Sequence, residues 1–451
     1  MLERIKSDTL ASVVQRKSKV TLDALKQAAV PTTRSFAKAL QNNRASLIFE
    51  CKKASPSEGL IRPNFDIAEI VKAYDPFVDA ISVITNATFF EGHLSFLKEA
   101  RAHTQKPLLC KDFILTEYQV YEARVHDADA ILLMLSLLND EDFKRCFRAA
   151  QSLNMDVLAE VQDEGELDRA LALGARIIGV NNRDFRTLNV ELRTAERVLP
   201  KIPKDKIAVL ASGISNHQQI LDYRNVAHAF LVGTSLMKQP DLPRAVRELA
   251  FGRVKVCGLT RKEDAEVAHA CGATFGGLIF TPVSLRFVDL ERARTIRAGS
   301  ELSFVGVFMN QPIDQVVAYA SELNLAAVQL HANETQSYVR ELRAQLPAST
   351  EIWKAVHVQN EIPQVSDLGC DRIFLDAYSK DMRGGTGQRF DWNTIKDLDR
   401  GKYILSGGLS PANAREADEK RMWALDVNSG VETAPGIKSE EKLRAFFQEL
   451  R

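Results

Sequence analysis

The spacing of apolar residues along this chain changes period repeatedly, and the changes come in a fixed order. Residues 1 to about 45 carry apolar positions at helical spacing. Leu2, Ile5, Leu10, Val13 and Val14 make one loose stripe, and residues 22–30 make a second. Short β-rich apolar runs then occur at 46–52, 78–85, 107–112, 129–135, 156–161, 176–181, 207–212 and 227–233. Between them lie amphipathic stretches, for instance 117–126, 140–153 and 164–173, with a helical repeat. The short runs are continuously apolar instead of alternating, as parallel strands covered on both faces require. Eight strand–helix units in roughly 200 residues predict a closed (β/α)8 TIM barrel. A doubly wound open sheet shares this periodicity, so the unit count is what favours closure.

The same count repeats downstream. Strand-like runs fall at 253–257, 274–280, 303–309, 326–331, 351–356, 372–376, 402–406 and 423–427. Helical patterns separate them, such as 261–271, 313–323 and 335–346, and a last one spans 440–450. The fifth helix of this half, after Val358, is expected to be short because it contains Pro363. At the seam Gly252 ends a helix and an apolar strand follows at once, with no Pro- or Ser-rich linker. The expected fold is two tandem TIM barrels, the first with extra N-terminal helices, divided as residues 1–252 and 253–451. A length of 451 residues also exceeds what one hydrophobic core usually serves.

Composition narrows the function classes. With 59 basic and 59 acidic residues the chain has no polyelectrolyte character, which argues against nucleic acid as a partner. No apolar run approaches the roughly 18 residues that span a bilayer, and the N-terminus lacks a signal-peptide core, so no membrane role is expected. Six scattered cysteines show no C-x-x-C and no metal-like Cys/His spacing. That predicts a reducing cytoplasmic setting and no metal.

Polar residues at the C-terminal ends of barrel strands mark an active-site mouth. In the first half these are Glu50 and Lys52, Lys111, Glu160, Asn181, Arg183 and Ser212. So many charges at one mouth must pair or meet a charged ligand. The turns Ser212-Gly213 and Gly233-Thr234, after strands seven and eight, suit a phosphate held by backbone N–H groups. The second half offers Gly407-Gly408 and Ser429-Gly430 at the matching places, and an extra glycine loop at Gly384-Gly385-Thr386-Gly387. That loop has Phe390 where a dinucleotide fingerprint needs its third glycine, so Gly385 and Gly387 read as phosphate ligands. The second mouth otherwise carries Cys257, Arg286, His331 and Asp376. A thiol and a carboxyl facing one substrate suit proton transfer better than acyl transfer, although a buried cysteine is commonly plain core.

These motifs resemble two known families. Phe49-Glu50-Cys51-Lys52-Lys53-Ala54-Ser55-Pro56-Ser57, Leu109-Cys110-Lys111-Asp112-Phe113, Ala159-Glu160-Val161 and Gly179-Val180-Asn181-Asn182-Arg183 resemble indole-3-glycerol phosphate synthase. Lys255-Val256-Cys257-Gly258-Leu259-Thr260, Gln329-Leu330-His331, Leu375-Asp376, Phe390-Asp391-Trp392 and Ser406-Gly407-Gly408-Leu409 resemble phosphoribosylanthranilate isomerase. The resemblance implies two consecutive steps of tryptophan biosynthesis on phosphorylated anthranilate substrates, with no cofactor. It implies Lys111 as general acid and Glu160 as general base, with Lys52 and Arg183 neutralising a carboxylate and Glu50 and Asn181 binding and polarising. Ser55 would bind substrate, and the glycine turns would bind phosphate. In the second barrel it implies Asp376 as acid, Cys257 as base, Arg286 on the anthranilate carboxylate and His331 in binding. Fusion is expected to replace a dimer contact, giving a monomer that could touch neighbouring pathway enzymes loosely. Three positions depart from the family patterns: Ala211 where the synthase has Glu, Ala332 in place of Gly, and Leu285 in place of Pro.

Overall fold

The computed structural model describes residues 2–183, 191, 193–359, 361–363, 368–377, 389–395 and 398–451. The chain divides into two compact units, Met1–Val246 and Arg247–Arg451, each built on one closed barrel of eight strands. All barrel pairings are parallel, each strand beside the next in sequence, with the eighth closing on the first.

In the first unit the strands are Ser46–Cys51, Ala80–Ile84, Leu108–Lys111, Ala130–Met134, Asp156–Val161, Ile177–Asn181, Ile207–Ala211 and Ala229–Val232. They are short, rich in Leu, Ile and Val, and almost wholly buried, because side chains on one face fill the barrel and those on the other meet the helices. Closure is carried by Phe49 beside Val232, while Phe49 also pairs with Ile81. Helices between the strands start at side-chain caps: Asp66 accepts from the Glu69 N–H, Asn139 from Asp142 and Asp163 from Glu166. Each such cap contributes about 1 kcal/mol.

The second unit repeats the scheme with strands Val254–Val256, Phe275–Ile279, Ser303–Phe308, Ala327–Leu330, Glu351–Val358, Arg372–Ala377, Tyr403–Leu405 and Ala424–Val427. Its barrel is filled by Phe275, Val305, Trp353, Phe374 and Ile404, with small Ala327, Ala355 and Ala424 between them. Two antiparallel hairpins lie outside the barrels and were not foreseen: Ala54–Ser55 with Gly59–Leu60, and Glu432–Ala434 with Ile437–Lys438.

Three places depart from the sequence reading or fall partly outside the described residues. In the first helix, Leu2–Lys19, the buried stripe is Ile5, Thr9 and Val13, a strict four-residue row. Leu10 and Val14 face solvent instead, because Arg16 pins this helix to Glu122 at 2.9 Å and fixes which row turns inward. The expected fifth helix of the second barrel falls partly on residues 364–367, outside the described residues. The described positions on either side of them are not helical, as Pro363 would require. Between Ala377 and Tyr403 the described residues form only a single 3₁₀ turn, Trp392–Thr394. Gly385 and Gly387 also lie outside the described residues.

Two candidate active sites

The first barrel opens at its C-terminal end into a cavity of about 420 Å³. Glu50, Lys52, Ser55, Lys111, Asn181, Arg183, Ser212, Gly213, Gly233 and Thr234 all line it. Its lining combines apolar side chains, among them Phe90, Phe113, Leu132 and Met134, with the cations Lys52, Lys111, Arg183 and Lys238. Phe90 and Phe113 lie with ring centroids 6.1 Å apart. This is a shape for an aryl group that carries anionic substituents.

The charges are arranged in two pairs. Lys52 Nζ lies 3.0 Å from Glu50 Oε1, and Ser82 Oγ donates to Glu50 Oε2 at 3.5 Å. Burial pushes the Glu50 carboxyl up, but the nearby Lys52 and Lys111 charges prevail and hold it below the usual carboxylate range. Gly233 is required here, because a Cβ on it would stand 2.6 Å from Glu50 Oε1. Lys111 Nζ lies 3.8 Å from Glu160 Oε2. Glu160 itself is only 2% exposed and sits behind Lys111 instead of on the cavity wall. Its other oxygen, Oε1, is buried without a hydrogen-bond partner among the described residues, so it is open to accept a proton. Asn181 Oδ1 accepts from the Arg183 N–H at 2.9 Å, and Arg183 Nη1 donates to Ser57 Oγ at 2.9 Å. Ala211, the last residue of strand seven, also lines the cavity beside Asn181.

Backbone conformation supports the anion reading of the turns. Ser212 and Gly213 both have left-handed φ, 68° and 87°. A turn of this kind can present successive backbone N–H groups to an anion. For a serine that conformation is strained, which is typical of functional sites. In the second barrel Gly407 and Gly408, also after strand seven, have φ of 82° and 69°. The turn after strand eight repeats as well, with Gly233 at φ −132°, ψ −71° and Asn428 at φ −133°, ψ −95°. Ser429 and Gly430 follow Asn428 in a 3₁₀ turn, and Gly430 lies so close to the Leu409 carbonyl that no side chain fits.

The second mouth is built more deeply. Cys257 directly follows strand one, and its thiol is buried. Lys255, two residues earlier, therefore points into the same barrel interior and is fully buried. Lys255 Nζ donates to Asp426 Oδ1 at 2.7 Å, and Ser406 Oγ donates to Asp426 Oδ2 at 3.0 Å. Burial pushes the Cys257 thiol up while the Lys255 charge opposes it, and the net shift is upward. Asp376, on strand six, is pushed up to about 7 by burial and by the charge of Asp426. Its Oδ2 lies 3.5 Å from His331 Nε2. Burial and the charges of His357, Lys255 and Lys354 push His331 down to about 3, so its ring is neutral. Gln329 Nε2 donates toward His331 Nδ1 at 3.3 Å, which leaves the ring proton on Nε2, facing Asp376.

Arg286 also reaches this mouth but is already engaged. Its Nε and Nη2 donate to the Glu432 carboxylate at 2.9 Å and 2.7 Å. The side chain passes over Gly258, where a Cβ would stand 2.5 Å from Arg286 Cδ. Lys255, quoted only as part of a motif, and Asp426, Glu432 and Lys438 were not named as site residues from the sequence. The first two had a signal: single charges inside the apolar runs Val254–Val256 and Ala424–Val427. Among the described residues no group of three His, Cys, Asp or Glu side chains is placed to hold a metal ion, and no helix is long and apolar enough to cross a membrane.

Comparison with known proteins matches each half to a family. Residues 2–249 match indole-3-glycerol phosphate synthase, and residues 254–449 match N-(5′-phosphoribosyl)anthranilate isomerase. The tryptophan biosynthesis protein TrpCF of Vibrio parahaemolyticus is 46% identical over 454 residues, covering 100% of this chain and 94% of that protein. TrpCF of Yersinia pestis is 44% identical, with the same coverage of both chains. TrpCF of Salmonella typhi is 43% identical, covering 100% of this chain and 99% of that one. The chain thus belongs to the bifunctional tryptophan-biosynthesis enzymes that join an indole-3-glycerol phosphate synthase barrel to a phosphoribosylanthranilate isomerase barrel.

Proposed function

We propose the following division of roles between the two mouths, with the functional boundary at residues 252/253. In the second barrel Asp376 gives its proton to the ring oxygen of N-(5′-phosphoribosyl)anthranilate as the C1′–O bond opens. Cys257, as thiolate, then removes the C2′ proton, and the resulting enol becomes the ketone of the Amadori product. A carboxyl held near neutrality keeps part of its population protonated when substrate arrives, and Lys255 supplies the charge that a thiolate needs. Arg286 receives the anthranilate carboxylate and His331 lies against the substrate. Gly407, Gly408, Ser429 and Gly430 cradle the phosphate.

In the first barrel that product closes to indole-3-glycerol phosphate with loss of carbon dioxide and water. Lys111 protonates the departing oxygen and Glu160 takes the ring proton. Lys52 and Arg183 hold the carboxylate, Glu50 and Asn181 orient the substrate, and Ser55, Ser212, Gly213, Gly233 and Thr234 bind phosphate. The observation that carries this reading is the repeat: each mouth joins a donor–acceptor pair to two left-handed residues after strand seven. The six buried, unbridged cysteines suit a reducing cytoplasm, and we take the working form to be a monomer.

The test uses the full chain and both assays. Cys257→Ser or Asp376→Asn abolishes isomerisation and leaves ring closure intact. If either change also stopped ring closure, the assignment of separate sites would fail. Ala211 bears on the alternative of a weakened or non-catalytic first barrel. Lys111 and Glu160 stand together without it, which supports an active but slowed synthase.

A further inference from the structure

Glu432 and Lys438 form the cross-strand pair of the hairpin that follows strand eight of the second barrel. The Glu432 carboxylate collects four donors: Arg286 Nε and Nη2, Lys438 Nζ at 2.8 Å and the Gly436 N–H at 3.2 Å. Lys438 is spent in this network, since its Nζ also donates to Asn428 Oδ1 at 3.0 Å and Asn428 O at 3.2 Å. Arg286 is not. Both of its nitrogens on one edge of the guanidinium grip Glu432, while Nη1 has no hydrogen-bond partner among the described residues.

The local sum is two cations and one anion, so the cluster holds one positive charge in excess. It lies at the Cys257 mouth, because Gly258 backs the Arg286 side chain and the Lys438 charge acts on the thiol. A guanidinium anchored along one edge presents the other at a fixed angle, suited to a planar carboxylate.

We infer that Glu432 is a positioning residue for substrate recognition, orienting Arg286 so that Nη1 meets the carboxylate of the substrate's aryl ring. The inference rests on the reading of Arg286 given above. Glu432 touches no reacting atom, and its effect is on selectivity for the carboxylated ring. Without it Arg286 and Lys438 repel each other and the guanidinium loses its fixed edge. A purely structural counter-ion would lower folding stability and leave selectivity unchanged.

The measurement is inhibition of isomerisation by two non-reactive, reduced product mimics, the 2-carboxyphenylamino-1-deoxyribitol 5-phosphate and its phenylamino counterpart. Their ratio of inhibition constants reports carboxylate recognition in the second barrel alone. In Glu432→Gln the ratio falls about tenfold or more, the value of one charge-assisted hydrogen bond, and KM rises. Ring closure keeps its rate. Because Gln leaves two cations facing each other, the double variant Glu432→Gln/Lys438→Met preserves the local charge sum and shows the same loss of selectivity. An unchanged ratio in the double variant overturns the positioning role. Arg286→Met separates the two readings: if it keeps the wild-type ratio, Arg286 itself does not meet the carboxylate and the reading beneath the inference falls.

Discussion

In the first barrel two lysines stand around an open cavity, whereas two lysines at the second mouth are sealed from solvent. The side chains of Lys52 and Lys111 are 12% and 15% exposed, while Lys255 and Lys438 are each 1% exposed. The backbone turns after strands seven and eight are nearly the same in both. The scaffold thus repeats a phosphate cradle and varies what lies beneath it. Closing a ring and expelling carbon dioxide needs room and loosely paired cations that can meet a carboxylate. Moving two protons needs fixed neighbours that set the acidities of one thiol and one carboxyl.

The strongest way to break this comparison is to remove a buried charge. Lys255→Met leaves Asp426 inside the barrel without its counter-ion, which costs about 3–5 kcal/mol. Thermal unfolding of the second unit should drop accordingly and isomerisation should vanish. A variant of wild-type stability would mean that the Lys255–Asp426 pair is not held dry. The matching change in the open mouth, Lys111→Gln, should behave oppositely. Ring closure falls about 10²–10⁴-fold, as for loss of a general acid, while the stability loss is smaller than for Lys255→Met, because Lys111 is partly exposed and stands 3.8 Å from Glu160. A large stability loss there would erase the contrast between the two mouths.

Ala211→Glu tests whether the open mouth lacks a contact. If the family carboxylate stabilises the transition state, restoring it should raise ring closure about tenfold, some 1.4 kcal/mol. No gain would remove Ala211 as the reason for any slowness.

The smallest effect is a shift in pH dependence. In the proposed roles, isomerisation needs Asp376 protonated and Cys257 ionised, yet Asp376 is pushed up to about 7 and Cys257 above its ordinary value. Between those values the reactive combination is a minor form. Its share grows as pH rises to about 7, stays level, and falls once pH passes the thiol. The ascending limb of kcat/KM therefore belongs to Asp376. Asp426→Asn removes a charge that pushes this carboxyl up, so the limb should move to lower pH while the ring-closure profile stays in place. A limb that does not move would detach it from Asp376.

Much of both sites could be read from the sequence because barrel geometry sends strand ends to one mouth. Lys52, Lys111 and Asn181 need only the strand count to be brought together. Glu160 was legible as a strand end, but not its place behind Lys111, which depends on side-chain direction. Glu432 and Lys438 were hidden for another reason. They sit on a hairpin of five described strand residues, too short for a periodicity to register, and their partner Arg286 is 146 residues away from Glu432. The first helix misled because five apolar residues offered two rows, and long-range contacts such as the Arg16–Glu122 pair and the packing of Val13 on Leu25 and Tyr118 select one.

The helix Leu242–Phe251 crosses the division between the two compact units, which falls after Val246. The synthase match ends at 249 and the isomerase match begins at 254, so Phe251 lies in neither. Yet Phe251 is 6% exposed, meets the Phe447 ring edge-on at 5.2 Å, and fills the space above Gly272 where a side chain would collide. An isomerase gene cut at the family boundary would uncover an aromatic face that the fused chain keeps dry. Fission that keeps this contact must therefore give Phe251 to the second half, with the cut falling between the end of the synthase match at 249 and residue 251.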